Sequence, residues 1–256
     1  MNKNPERLFG IIGYPLGHAF SPVYFNKKFE TEGIDARYDY FEIPDIGDLM
    51  EIIAENPNLV GFNVTIPYKQ QVMQYLDELD EDAEQIGAVN VVKILRGETD
   101  NDFRLKGYNS DFLGFMDSIK PLLTERDKNA LILGTGGASK AVVQGLKRLG
   151  LKTTLVSRTA REEVITYDDL TPEVMTANQV IVNTTPVGMY PNVDDCVPLP
   201  FQYVTPAHLC FDVIYNPEKT RFMQLAEERG ARIHNGKEML FGQAVAAWNI
   251  WNCQAD

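Results

Sequence analysis

Apolar positions along the chain follow two rhythms. Short dense runs bounded by glycine, proline or acidic residues read as buried strands, and longer stretches at three-to-four spacing read as helices. Residues 8–14 are apolar and β-rich. Residues 22–32 read helical, with Ser21 placed as the N-cap. Residues 37–43 alternate at period two around Tyr38, Tyr40 and Phe41, 45–55 reads helical, and 59–66 is again strand-like. Pro67 stands where proline opens a helix at its first position, which puts Lys69 one turn inside that helix. A strand over 88–95 carries Asn90, and the polar run over 96–106 reads as a hairpin tip.

Past residue 111 the rhythm becomes a regular βαβ. A short strand (130–133) meets a glycine-rich turn (134–139), and the helix over 140–149 stops at Gly150, a natural C′ glycine. Strands over 153–157, 179–184, 209–214 and 231–234 follow, with helices over 218–229 and 238–251. Alternating strands and helices predict an α/β fold in two domains. The first covers 1–110 and is completed by 238–256; the second, 111–237, is Rossmann-type.

Composition narrows the partners. The chain has 256 residues, 44% hydrophobic and 23% charged, the balance of a folded globular protein. No apolar run approaches the roughly 20 residues that cross a bilayer. A polar N-terminus leads directly into the first strand, so the expectation is a cytoplasmic protein without membrane contact. Net charge is −12, with the acidic excess in residues 1–110 and near balance over 111–237. An acidic chain repels phosphate backbones, so no nucleic-acid partner is expected, while the balanced half can host a local anion site. Cys196, Cys210 and Cys253 are widely spaced with no C-x-x-C pair, and His18, His208 and His234 lack metal-ligand spacing. Free thiols and no metal are expected.

The chemistry-bearing residues fall in two groups. Gly134-Thr135-Gly136-Gly137-Ala138-Ser139 follows a strand and opens a helix, the context a dinucleotide fingerprint requires. Ser139 stands where that pattern has Gly or Ala. At the end of the next strand, where an NAD site places a carboxylate, the chain reads Ser157-Arg158-Thr159-Ala160-Arg161. Two arginines and two hydroxyls suit a 2′-phosphate, which favours NADP over NAD; solvated arginines are the alternative. In the first half, Lys69 follows a strand end, where ligands sit in open α/β sheets, although a helical lysine is ordinarily solvated surface. Asn90 is an amide in an apolar run and needs partners. Asn109-Ser110-Asp111 reads as a helix N-cap or turn entry.

Taken in order, these residues resemble the shikimate dehydrogenase family. The matching elements are Gly13-Tyr-Pro15 with His18-x-x-Ser21-Pro22, Asn63-Val-Thr65-Ile-Pro67-Tyr-Lys69, Gly87-Ala-Val-Asn90, Gly107-Tyr-Asn109-Ser-Asp111, Gly134-Thr-Gly-Gly-Ala138, Asn183-Thr-Thr-Pro-Val-Gly188-Met189 and Met239-Leu240-x-x-Gln243-Ala244. The resemblance implies reduction of 3-dehydroshikimate to shikimate with NADPH. It implies Lys69 and Asp111 as the proton-transfer pair at a cleft between domains. Ser21 and Thr65 would hold the carboxylate and ring, Asn90, Asp111 and Gln243 the ring hydroxyls, and Tyr215 would lie near the carboxylate. Gly134, Thr135, Gly136, Gly137 and Ala138, with Ser157, Arg158, Thr159 and Arg161, would bind NADP, and Val213 and Gly236 would line the nicotinamide. No metal is implied, and the chain is expected as a monomer or homodimer. One departure stands out: Ala19 replaces a serine the family uses on the substrate carboxylate. A lost hydrogen bond to a charged group is worth about 1.5–3 kcal/mol. A replacement donor, a different ring acid such as quinate, or a weakened paralogue would each account for it. A binding protein that keeps the fold without turnover is the remaining alternative.

Overall fold

The computed structural model describes residues 6–17, 20–99 and 102–253; the Ala19 departure and His18 lie outside them. The chain divides into two compact units, Met1–Ser110 with Ala244–Asp256, and Asp111–Gln243.

The first unit holds β1 (Arg7–Gly13), α1 (Phe20–Glu32), β2 (Ala36–Glu42), α2 (Leu49–Glu55), β3 (Leu59–Val64), β4 (Glu78–Leu79), α3 (Glu81–Ile86), β5 (Val91–Arg96) and β6 (Phe103–Tyr108). Its sheet runs β2-β1-β3-β5-β6-β4. β1 pairs in parallel with β2 and β3, while β3–β5 and β5–β6 are antiparallel. Side chains alternate across this sheet at period two. Leu8 and Ile12 of β1 pack into a core with Leu49, Ile53, Phe62 and Val92. Phe9 and Ile11, from the same strand, enter an aromatic core with Phe25, Phe29, Tyr38 and Trp251.

Helix α4 (Ser110–Ile119) leads into the second unit: β7 (Asn129–Leu133), α5 (Gly137–Arg148), β8 (Lys152–Ser157), β9 (Val164–Thr166), α6 (Pro172–Ala177), β10 (Val180–Asn183), β11 (Leu209–Asp212), α7 (Arg221–Glu228) and β12 (Arg232–His234). Its sheet is parallel throughout, in the order β12-β11-β10-β7-β8-β9. That is the doubly wound order of a dinucleotide-binding domain, reversing between β7 and β10. The central strands are covered on both faces, so β7, β10 and β11 read as nearly unbroken apolar runs. Leu131, Ile181 and Cys210 face one core, and Ile132, Val182 and Phe211 the other. The last helix, α8 (Lys237–Asn252), begins in the second unit and ends in the first, where Ala244, Ala247 and Trp251 join the aromatic core. The Trp251 indole N–H donates to the Val92 carbonyl at 3.0 Å.

Three local expectations are corrected. Ser21 is not an N-cap but lies within α1, buried, with its hydroxyl on Tyr38. Lys69 is not on an α-helix. Residues 66–70 form a turn, Tyr68 N–H to Thr65 C=O at 2.9 Å, that runs into a 3-10 segment, Gln71–Tyr75. The chain is too short there for more, because Asp77 N–H must already reach the Leu105 carbonyl of β6. Asn90 precedes β5 rather than lying on a strand: Val89 N–H is drawn off to the Lys69 carbonyl at 2.8 Å. Among the described residues no helix is long and apolar enough to cross a membrane.

Candidate active site

The glycine-rich turn is built by the end of β7. Gly134 adopts φ +109, and a Cβ there would lie 2.9 Å from Thr185 Cγ2 and 3.0 Å from Thr184 Oγ1, so both conformation and crowding demand glycine. Gly134 N–H donates to the Val156 carbonyl at 2.8 Å, tying the turn to β8. Gly136 then caps α5 with no side chain, and a Cβ on Gly136 or Gly137 would meet nothing within 4 Å. The positive end of the helix therefore begins with two positions that carry no side chain. Ser139 suits the fingerprint's third position, because its hydroxyl turns inward to the Gly136 carbonyl at 2.6 Å.

Around this turn lies a cavity of about 560 Å³, lined by Gly134, Thr135, Gly136, Ser157, Arg158, Tyr167, Thr184, Thr185, Pro186, Val187, Cys196, Val197 and Pro198. It sits off the carboxyl ends of β7, β8 and β10, where the strand order reverses and open α/β sheets take their ligands. Backbone donors without a covering side chain, beside the Arg158 guanidinium, fit an anionic dinucleotide. Gly137, Ala138, Thr159 and Arg161 do not line this cavity: the first two continue into α5, and Arg161 pairs its backbone with Val164. Tyr167 and Cys196 went unmarked by motif reading. Burial raises the Tyr167 hydroxyl against the pull of Arg158, and pushes the Cys196 thiol up to about 11.

A second feature follows β11. A Cβ on Gly236 would fall on the Val213 carbonyl oxygen and 2.5 Å from the carbonyl carbon, so the two segments touch backbone to backbone. Gly236 N–H donates to the Ile214 carbonyl at 3.0 Å. Beneath them Asp212 accepts from Thr220 Oγ1 at 2.6 Å, Asn183 Nδ2 at 3.1 Å and Ile214 N–H at 3.1 Å. Burial pushes its carboxyl up to about 6 despite these three donors. Tyr215, just beyond, is 46% exposed.

In the first unit the candidate residues cluster around strand ends. Thr65 follows β3 and its N–H donates to the Ile12 carbonyl at 2.9 Å. Lys69 is half-buried on the turn described above. Asn90 is 3% exposed, and its amide grips Ser110, donating to Oγ at 3.0 Å and accepting from N–H at 2.6 Å. Asp111 stands in the first turn of α4 and belongs to the second unit, as does Gln243, whose amide donates to the Leu240 carbonyl of α8 at 3.0 Å.

The fold and the open glycine turn define a dinucleotide-binding protein of two α/β units. Residues 11–92 match the family described as the shikimate dehydrogenase substrate binding domain. A shikimate dehydrogenase (NADP(+)) of Caldicellulosiruptor saccharolyticus is 38% identical over 259 residues, covering 94% of this chain and 90% of that protein. A crystal structure of a shikimate dehydrogenase in complex with NADP+ superposes with a TM-score of 0.83 at 31% identity, covering 96% of this chain and 90% of that one. Shikimate 5-dehydrogenase of Listeria monocytogenes, in complex with shikimate and NAD, gives 0.85 at 28% identity, covering 96% and 91%. The chain belongs to the shikimate dehydrogenase family.

Proposed function

We propose that this protein reduces 3-dehydroshikimate to shikimate with NADPH, a step toward chorismate and the aromatic amino acids. The observation that carries this reading is the match to an NADP-dependent shikimate dehydrogenase over 94% of the chain. The substrate domain is the first unit, residues 1–110 with 244–256, and the NADP domain the second, 111–243, so the boundary expected at 237/238 falls about one and a half turns further along α8. The cofactor supplies the hydride. Lys69 gives the proton to the carbonyl oxygen that becomes the new hydroxyl, and takes it back in the reverse direction. Asp111 orients the lysine and accepts from a ring hydroxyl. Asn90 and Gln243 bracket the remaining hydroxyls, while Ser21, Thr65 and Tyr215 serve the carboxylate side. Gly134, Thr135, Gly136, Gly137 and Ala138 hold the pyrophosphate, Ser157, Arg158, Thr159 and Arg161 the 2′-phosphate, and Val213 and Gly236 the nicotinamide. The protein acts in the cytoplasm, as a monomer or homodimer, without a metal.

The test is NADP reduction followed by nicotinamide absorbance with shikimate, beside quinate and with NAD in place of NADP. Turnover that needs both shikimate and NADP is the expected result. Preference for quinate would overturn the substrate, and Ala19→Ser would then be the first reversion to make. Stoichiometric NADPH binding with no turnover of either ring acid would make the protein a binder.

A further inference from the structure

A buried polar thread runs through the first unit under its candidate substrate residues. Tyr38 lies on β2, 1% exposed, its ring stacked on Phe25 with centroids 5.0 Å apart at 10°. Its hydroxyl donates to Asn63 Oδ1 at 2.6 Å. Asn63, on β3, donates through Nδ2 to the Asn90 carbonyl at 3.1 Å. Asn90 in turn grips Ser110 through both ends of its amide. The direction of every bond is forced. A carbonyl can only accept, so Asn63 must turn its NH2 toward Asn90 and its oxygen toward Tyr38, and Tyr38 must donate. The Tyr38 oxygen is then left as an acceptor, and the Ser21 hydroxyl is its other partner.

Nothing in the packing calls for that hydroxyl. The ring sits among Phe25, Phe29 and Trp251, where phenylalanine would fill the same space and only the Asn63 oxygen and the Ser21 hydroxyl would lose a partner. A buried hydroxyl that is fully bonded adds little net stability, but it selects one arrangement of its neighbours. Those neighbours are Ser21 and, through Asn63, Asn90 and Ser110, the residue before Asp111.

We propose that Tyr38 is a positioning residue for the substrate site, orienting Asn63 and through it Asn90 and Ser110, and holding the Ser21 rotamer, without touching the substrate itself. The inference rests on the reading of Ser21 and Asn90 as substrate ligands.

Tyr38→Phe keeps the ring and removes only the hydroxyl. It should raise KM for shikimate about tenfold and leave KM for NADP within twofold. Phe25→Leu, which disturbs the same stack but not the thread, should lower the melting temperature and leave both KM values unchanged. A second readout does not depend on catalysis. In chemical unfolding, Tyr38→Phe and Ser110→Ala should be non-additive, because they cut one connected network. An active Tyr38→Phe enzyme with an unchanged KM for shikimate overturns the positioning role, and additive unfolding effects overturn the thread. A wild-type protein inactive on shikimate refutes the proposed function instead, and the unfolding cycle still decides whether the thread exists.

Discussion

Replacing Gly136 by alanine separates stability from cofactor binding at a single atom. Gly136 caps α5 at φ −82, ψ −171, extended backbone that any residue adopts, and its Cβ would meet nothing within 4 Å. Alanine stiffens the unfolded chain, a gain of about 0.4–1 kcal/mol. It is also a poorer N-cap than glycine by a similar amount. The two offset, so the melting temperature without ligand should move by no more than about 2 °C. The cofactor meets the methyl differently. A carbon stands about 3.5 Å from a phosphate oxygen, whereas a helix N–H needs about 2.9 Å to donate to it. Holding the pyrophosphate off weakens a charge-assisted bond worth about 1.5–3 kcal/mol, or about 10–150-fold in Kd. The assay is thermal unfolding with and without NADP, supported by calorimetric titration. NADP at 100 times the wild-type Kd stabilises the wild type by about 2.7 kcal/mol, and a variant binding 100-fold more weakly by only about 0.4 kcal/mol. An unchanged Kd for NADP would refute the idea that this glycine admits the pyrophosphate. A collapse of the ligand-free protein would refute the claim that the methyl has room.

Three further outcomes are expected. Lys69→Ala should cut turnover by about 10²–10⁴ in steady-state assays while calorimetry shows NADPH binding intact, and near-normal turnover would remove Lys69 from proton transfer. Gly236→Ala drives a Cβ into the Val213 carbonyl, which is backbone and cannot swing aside. It should cost about 1–3 kcal/mol in unfolding and about 10²-fold in kcat through displacement of the nicotinamide wall, and retained kcat would show that Gly236 lies away from the reacting atoms. Asp212 titrates at about 6 in the fold against 3.8 when free, so the folded protein holds this proton more tightly. Its stabilising effect is complete below about pH 4 and is lost as pH rises through about 6, by at most about 3 kcal/mol. The wild type should therefore lose unfolding free energy relative to Asp212→Asn across that range, and a pH-independent difference would refute a raised carboxyl.

What the sequence pattern made legible was what local periodicity encodes. The central parallel strands of the second unit are buried on both faces, and their apolar runs announce β7, β10 and β11 within a residue or two. Elements whose form depends on distant partners were not legible. β4 has two residues and exists because Glu78 and Leu79 lie beside Lys106 and Gly107. Its neighbour α3 is masked by the acidic run around Asp80, although Asp80 caps it through Asp82 N–H at 3.1 Å. For α6 the local signal is present: Thr171 followed by Pro172 is an N-cap with proline at N1. Lys69 read as helical because Pro67 opens many helices, but the need to deliver Asp77 to Leu105 ended the turn early.

The candidate site divides along the same line. Residues that act through backbone shape are contiguous, so 134–139 carried its meaning in six letters, and the open Cβ positions at Gly136 and Gly137 agree with that reading. Residues that act by holding others are scattered. Tyr38, Asn63, Asn90 and Ser110 are joined by hydrogen bonds across β2, β3 and the start of α4, and no spacing links them. Asp212 collects donors from Asn183, Ile214 and Thr220, three separate segments. A sequence signal for Tyr38 does exist, though it is faint. It occupies an inward position of β2, a slot surrounded by phenylalanine and tryptophan, and carries an oxygen that the slot does not need. A polar atom retained where an apolar one would pack as well asks for a partner, and following that demand from Tyr38 leads, bond by bond, to the residue before Asp111.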